Sequence, residues 1–301
     1  MSVVVVGSVA LDSVETPFGK MDDSIGGSAT YFSIAGCRFS NINLVGIVGR
    51  DFPQIGLELF KSKNINIDGL EIIDGKTFRW GGRYKLNMNE RDTLFTELNV
   101  FEKFKPKLPN AYKDSEILFL GNIHPELQLD VLKQMNKNSL VILDTMNLWI
   151  EIGREKLLEV INKSDVVIIN EDEVRQLMGN SDVYKSAKMM LKLKPKILII
   201  KKGKNGAILY FKNKMFILPS FPIDKVVDPT GAGDSFAGGF VAYLDSLKKN
   251  NLTFFDYKMA MIHGTVMASF LVESFSINKL IEITDDDIRN RVEKMVKLIS
   301  I

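Results

Sequence analysis

The segment DPTGAGDSFAGGF, residues 228–240, concentrates the residue types that could do chemistry. Asp228 and Pro229 lead into Thr230, Gly231, Ala232 and Gly233, and small residues continue at Ala237, Gly238 and Gly239, where a helix would already have begun. A loop of this kind aims several backbone N–H groups and a helix N-terminus at one point, which makes an anion site with phosphate as the natural guest. An acid there, Asp234, would repel the anion unless it has a task of its own. As a base beside a transferring phosphoryl group, it would take the proton of an attacking hydroxyl while the N–H groups hold the developing charge. The alternative is that Asp234 merely caps the helix.

Other chemistries fail on spacing. The chain has no G-x-x-x-x-G-K-[ST], which excludes a P-loop. Gly231-Ala232-Gly233 lacks the third glycine of a dinucleotide fingerprint and sits far from the first strand. Gly233-Asp234-Ser235 suggests an esterase serine, but neither His124 nor His263 has an aspartate three residues before it.

The elements that must position this loop follow an α/β rhythm. Short β-branched runs recur at 3–6, 44–48, 117–120, 140–143, 166–169 and 197–200, several of them continuous, as strands covered on both faces are. Helical spacing fills the gaps at 126–135, 155–161 and 183–191, which predicts a parallel sheet wrapped by helices. Further helices are predicted over 234–247, 255–272 and 285–299. Two stretches, 12–24 and 69–101, break the rhythm; the second alternates polar and apolar residues around the turn formers Asp74-Gly75, Gly81-Gly82 and 87–89. They predict antiparallel strands in a small inserted sheet, a common way to cover a site. The body is then 1–11, 25–68 and 102–301, and the lid is 12–24 with 69–101.

Composition excludes several classes. The 301 residues are 46% hydrophobic and 25% charged, which suits a soluble globular chain. Scattered lysines and a net charge of +2 argue against nucleic acid as a partner. Cys37 is the single cysteine, so no internal disulfide forms, and its apolar neighbourhood predicts a buried, inert thiol. No basic leader precedes a long apolar core, and no apolar run approaches the roughly 18 residues of a membrane span. No membrane partner and a cytoplasmic location are therefore expected.

The loop resembles the C-terminal signature of the ribokinase-like carbohydrate kinases, the PfkB family, in which G-A-G-D follows an aspartate and a threonine. Other segments match in family order. VVVVGSVALD resembles the first strand with its substrate-binding aspartate, and IGGSATYFSIA the double-glycine segment. NEDE at 170–173 resembles the N-x-x-E motif, and the segment 200–203 the turn that meets the nucleotide. The resemblance covers roughly residues 3–275. It implies a ribokinase-like fold and an ATP- and magnesium-dependent kinase for a monosaccharide or polyol. A nucleoside kinase is the runner-up, since GGSAT also resembles the adenosine kinase segment. A non-catalytic sugar sensor on the same fold is the alternative of another class, against which the intact loop argues.

By this resemblance Asp234 is the base and the backbone of Gly231, Ala232 and Gly233 is the anion hole. Asn170 and Glu173 would serve magnesium, Glu173 through water. Asn170, Lys201, Gly203 and Thr230 would meet ATP, with His263 and Met267 beside the adenine. Asp12, Gly26, Gly27 and Tyr31 fall on the acceptor side. Tyr31 stands where ribokinase and adenosine kinase commonly have an asparagine, which removes an amide expected to bind ribose hydroxyls. Arg83, Asn99, Asn122 and Asp144 are further acceptor-side candidates, and His124 either points into that site or closes a turn. Members of the family often respond to potassium near the segment matching 228–230. The resemblance also allows a homodimer through the lid sheet.

Overall fold

All four valines of Val3–Val6 (β1) are fully buried, and they divide between two cores. Val3 and Val5 pack with Phe119, Ile168 and Ile199 on one face of the sheet, whereas Val4 and Val6 pack with Leu118, Val167 and Ile200 on the other. Successive side chains of a strand point to opposite faces, so a continuous apolar run serves a sheet covered on both sides. Each such buried aliphatic side chain contributes about 1.5–3 kcal/mol relative to exposure.

The computed structural model describes residues 2–136 and 139–300. The other strands are β2 (Ala10–Thr16), β3 (Gly19–Gly26), β4 (Ile42–Gly49), β5 (Asn66–Ile73), β6 (Phe78–Tyr84) and β7 (Arg91–Glu97). They continue with β8 (Ile117–Leu120), β9 (Leu140–Asp144), β10 (Val166–Asn170), β11 (Ile197–Lys201), β12 (Ala207–Phe211) and β13 (Lys214–Leu218). Among the described residues, nine strands form one sheet in the order β13-β12-β11-β10-β9-β8-β1-β4-β5. From β11 to β5 every pairing is parallel; β12 and β13 close one edge as an antiparallel hairpin. The chain leaves β1 first towards β4 and later towards β8, so the strand order reverses beside β1. A crevice opens at the carboxyl ends of strands at such a switch point.

β3, β2, β6 and β7 form the second, four-stranded sheet, which is the inserted lid. Two details correct the expectation. Residues 69–73 belong to β5, paired in parallel with β4 at the edge of the large sheet, so the lid's second part begins only at Phe78. The lid is not wholly antiparallel either, because β2 and β6 pair in parallel across the intervening body segment.

Helices Ala232–Ser246 and Phe254–Leu271 cross the inner face in close contact. A side chain at Gly264 would lie 2.6 Å from the Phe236 carbonyl oxygen, and one at Gly239 2.8 Å from Met267, so glycine permits the approach. A reciprocal Thr253–Asp256 capping box fixes the start of the second helix. Cys37 is free and only partly buried, not fully buried as expected, and desolvation raises its thiol to about 11. Among the described residues no helix is long and apolar enough to cross a membrane.

Candidate active site

Gly231 is the N-cap of helix Ala232–Ser246 and has φ +78°, in the left-handed region that glycine tolerates. A side chain there would also meet the Tyr31 ring at 2.3 Å. No side chain caps this helix start, so Asp234, in its first turn, is not a cap. The N–H of Ala232 donates to the Pro229 carbonyl at 3.2 Å. Among the described residues, Gly231 and Gly233 keep N–H groups with no protein acceptor, so the anion cradle rests on them rather than on all three residues.

Four charged side chains converge at the helix start, delivered by the ends of three parallel strands and by the helix itself. Lys201 ends β11, and its Nζ lies 3.0 Å from each carboxylate oxygen of Asp144, which ends β9. The same ammonium would stand 3.0 Å from a Cβ on Gly233, placing it directly beneath the cradle. Burial depresses the Lys201 ammonium, but Asp144 and Glu173 outweigh it and hold the pKa above the usual lysine value. Asp234 is raised to about 7 by burial first, then by Asp144, against the opposing pull of Lys201. Such a carboxylate is poised to accept a proton near neutral pH.

Asn170 and Glu173 form a reciprocal capping box at the end of β10: Asn170 N–H donates to Glu173 Oε2 at 2.9 Å and Glu173 N–H to Asn170 Oδ1 at 2.8 Å. The Asn170 amide oxygen is thus engaged in orienting Glu173. Burial, with Asp144 adding to it and Lys201 opposing, raises Glu173 to about 7. Asp144, Glu173 and Asp234 outnumber the one lysine, and two of them are driven towards protonation. A hard cation would relieve that imbalance, so the oxygen donors fit magnesium. Among the described residues no three acidic, histidine or cysteine groups come close enough to ligate a metal directly.

On the other side of the loop, Asp12 is 4% exposed and its Oδ2 accepts from the Tyr31 hydroxyl at 3.0 Å and from Gly27 N–H at 3.4 Å. Burial raises its pKa to about 7 despite these bonds. Both of these bonds fall on Oδ2 rather than Oδ1. Gly26 and Gly27 make room for the protein itself: a Cβ at Gly26 would fall 2.0 Å from Asp12 Oδ2, and one at Gly27 2.5 Å from the Ser8 carbonyl.

The lid brings residues that sequence reasoning missed. Trp80 pairs with Asp12 in the β2–β6 register, and the Arg91 guanidinium lies 5.2 Å over the Trp80 ring. Tyr84 and Thr230 share a hydroxyl–hydroxyl contact of 3.2 Å, which ties lid to loop. The alternation 80, 82, 84 along β6 was the available signal for this inner face, and the glycines at 81 and 82 obscured it.

Several expected residues lie elsewhere. Arg83, on the opposite face of β6, pairs with Glu15 at 2.9 Å, and Asn99 donates to the Thr77 and Glu97 carbonyls. Asn122 accepts from Trp149 Nε1 at 2.6 Å and donates to Met146 Sδ, while His124 is the N-cap of helix Pro125–Gln134 and so closes a turn. Asp144, expected beside the acceptor, is bound to Lys201 on the side of Gly233. Asp228 accepts from the N–H groups of Thr230 and Ser276, holding the loop from below.

Beyond Lys201 opens a cavity of about 570 Å³, lined in part by Gly203, Pro229, Gly233, Thr265, Ala268 and Val272. His263 and Met267 do not line it. His263 stacks on Tyr243 at 3.9 Å and donates from Nδ1 to the Met259 carbonyl at 2.8 Å, and Met267 is fully buried against Gly239. Two residues correspond to a rotation of about 200° around a helix, so positions 263 and 265 face opposite ways.

Comparison with known proteins agrees with this architecture. A family model described as pfkB family carbohydrate kinase matches residues 2–281. The chain is 31% identical to a cytidine kinase of Thermococcus kodakarensis over 80% of its own length and 88% of that protein's. The crystal structure of the Methanocaldococcus jannaschii nucleoside kinase superposes with a TM-score of 0.76 at 25% identity, covering 97% of this chain and 98% of that one. A ribokinase structure from Thermotoga maritima shares the fold, with a TM-score of 0.74 at 24% identity over 99% of both chains.

Proposed function

The chain belongs to the pfkB family of carbohydrate kinases, and from that premise we propose that it is an ATP- and magnesium-dependent nucleoside kinase with Asp234 as general base. One observation carries the phosphotransfer reading: Asp234, with its pKa raised to about 7, stands in the first turn of a glycine-capped helix whose Gly233 lies over the Lys201 ammonium.

In this reading the acceptor hydroxyl lies between Asp12 and Asp234. Asp12 Oδ1 accepts a hydrogen bond from a neighbouring hydroxyl and orients the sugar ring. Asp234 removes the proton of the attacking oxygen as it closes on the γ-phosphorus. The N–H groups of Gly231 and Gly233, with the positive end of the helix, receive the charge that develops on the transferring oxygens. Lys201, held by Asp144, adds fixed positive charge from below, and Glu173 would hold the cation through water. Magnesium, when bound, neutralises and aligns the phosphate oxygens. The lid excludes water, so that transfer to the hydroxyl outruns hydrolysis.

The similarity to a cytidine kinase and to a nucleoside kinase favours a nucleoside over the simple sugar expected from sequence. The lid supports this, since Trp80 opposite Asp12 offers an aromatic face and Arg91 a set of donors beside it. A monosaccharide acceptor is the second reading, supported by the family's description and the ribokinase fold match. The exposed Leu94 and Phe95 of β7 suit pairing of two lids in a homodimer. Incubation with ATP, magnesium and separate panels of nucleosides and sugars, with chromatography of the products, tests the assignment. Nucleoside monophosphates are expected; sugar phosphates alone would favour the second reading, and ATP consumption with neither panel would contradict both.

A further inference from the structure

The β6–β7 hairpin turns through residues 85–90, KLNMNE, and the turn is held by its own bonds. Lys85 N–H donates to the Glu90 carbonyl at 2.9 Å, and Met88 N–H to the Lys85 carbonyl at 2.9 Å. Asn87 Oδ1 accepts from the N–H groups of Asn89 and Glu90, and its Nδ2 donates to Glu90 Oε1 at 2.8 Å. An ion pair of 3.1 Å between Lys85 and Glu90 closes the base, and Met88 sits at φ +56°. Asn87 therefore commits its whole amide to shaping the turn. Asn89 does not: among the described residues its side chain has no hydrogen-bond partner.

This tip reaches beyond the acceptor side that the lid covers. Asn87, Met88 and Asn89 line the same cavity of about 570 Å³ as Gly203, Thr265 and Ala268. Asn89 Oδ1 would be the nearest non-neighbouring atom to a Cβ placed on Gly203, at 3.8 Å. Gly203 follows Lys201 by two residues, whereas the apolar side of the cavity is formed by Ala268 and Val272. The tip therefore overhangs the Gly203 side of the cavity. One residue before it, Tyr84 is joined to Thr230 of the glycine loop, which fixes the height at which the tip sits.

Resting on the kinase reading above, we propose that Asn89 is a nucleotide-binding residue, its amide bonding the ribose or phosphate edge of ATP, so that the lid tip is a wall of the nucleotide site. An amide both donates and accepts, which suits ribose hydroxyls and phosphate oxygens alike. β6 carries Trp80 over the acceptor side and runs into the tip over the nucleotide side.

The test uses the full chain, with ADP as probe. Calorimetry of the wild type and of Asn89→Ala should show ADP binding weakened about 5–10-fold by loss of one or two hydrogen bonds. Hydrogen exchange in residues 85–90 should slow with ADP alone, without any acceptor. Asn89→Asp should weaken ADP at least as much, because its charge repels phosphate. Equal ADP affinity in wild type and Asn89→Ala, or a tip protected by acceptor but not by ADP, would overturn the proposal while leaving the kinase reading in place. A wild type that binds no ADP would overturn both.

Discussion

The Tyr31 hydroxyl donates to Asp12 Oδ2 at 3.0 Å, and the same tyrosine's ring fills the space that a side chain on Gly231 would need. One buried residue therefore braces the acceptor carboxylate and the glycine loop together. It stands where an asparagine was expected to bind the acceptor, and it acts on the carboxylate instead.

These two contacts separate by substitution. Tyr31→Phe keeps the ring and removes a hydrogen bond to a charged group worth about 1.5–3 kcal/mol. The acceptor KM should rise roughly 10-fold or more, with little change in the ATP KM. Tyr31→Ala also withdraws the support of Gly231, so kcat and melting temperature should fall as well. Steady-state kinetics with both substrates varied checks the split; identical kinetic profiles for the two variants would contradict it.

Lys201 and Asp144 form a buried pair with side-chain exposures of 19% and 5%. Removing one partner strands the other charge, at a cost of about 3–5 kcal/mol. Lys201→Met should therefore destabilise strongly, and Lys201→Met with Asp144→Leu should recover part of the loss. Denaturant unfolding of the four proteins in the cycle measures the coupling. Turnover should not recover in the double variant, because the positive charge beneath Gly233 is gone.

The site should also make stability depend on pH. Asp12, Glu173 and Asp234 are each raised to about 7, chiefly by burial. Between the ordinary carboxylate range and about 7 the folded state then holds protons that the unfolded chain releases. Stability from these groups is present at low pH and lost as pH rises through this window. Asp51, Asp256 and Asp287, whose values are lowered, act in the opposite sense and only at lower pH, while His263, lowered by burial, is one group that opposes the three acids within the window. Melting temperature without ligands should thus decline from about pH 5 to 7.5, and Asp234→Asn should flatten the decline. A melting temperature that rises across this interval would contradict the assignment.

The glycine loop and the strand ends were legible in the sequence because each is a local pattern. Asn170, Glu173 and Lys201 stand at or just beyond the end of an apolar run, where a parallel sheet presents its ligands, and Asp234 stands in the first helical turn that the glycine loop opens. The lid's contribution was not legible, because Trp80 reaches Asp12 only through a parallel pairing across the intervening body segment. His263 was misplaced for another reason. Helix Phe254–Leu271 is apolar on nearly all sides, so no polar stripe set its phase, and a pattern without a phase cannot say which face meets a ligand. Residues 69–73 read as lid because strand and lid share alternation, and only pairing with β4 distinguishes them.

The central claim is that Asp234 takes the acceptor's proton, and Asp234→Asn tests it most directly. Asparagine keeps the shape but cannot accept a proton at neutral pH, and with Gly231 as N-cap the helix start does not rely on this side chain. Single-turnover phosphoryl transfer, measured beside a melting curve and ADP calorimetry, should fall about 10²–10⁴-fold with ADP affinity held within a few fold. In the wild type the same rate should rise with pH through about 7, as Asp234 loses its proton. Near-normal transfer by a folded Asp234→Asn protein would contradict the account.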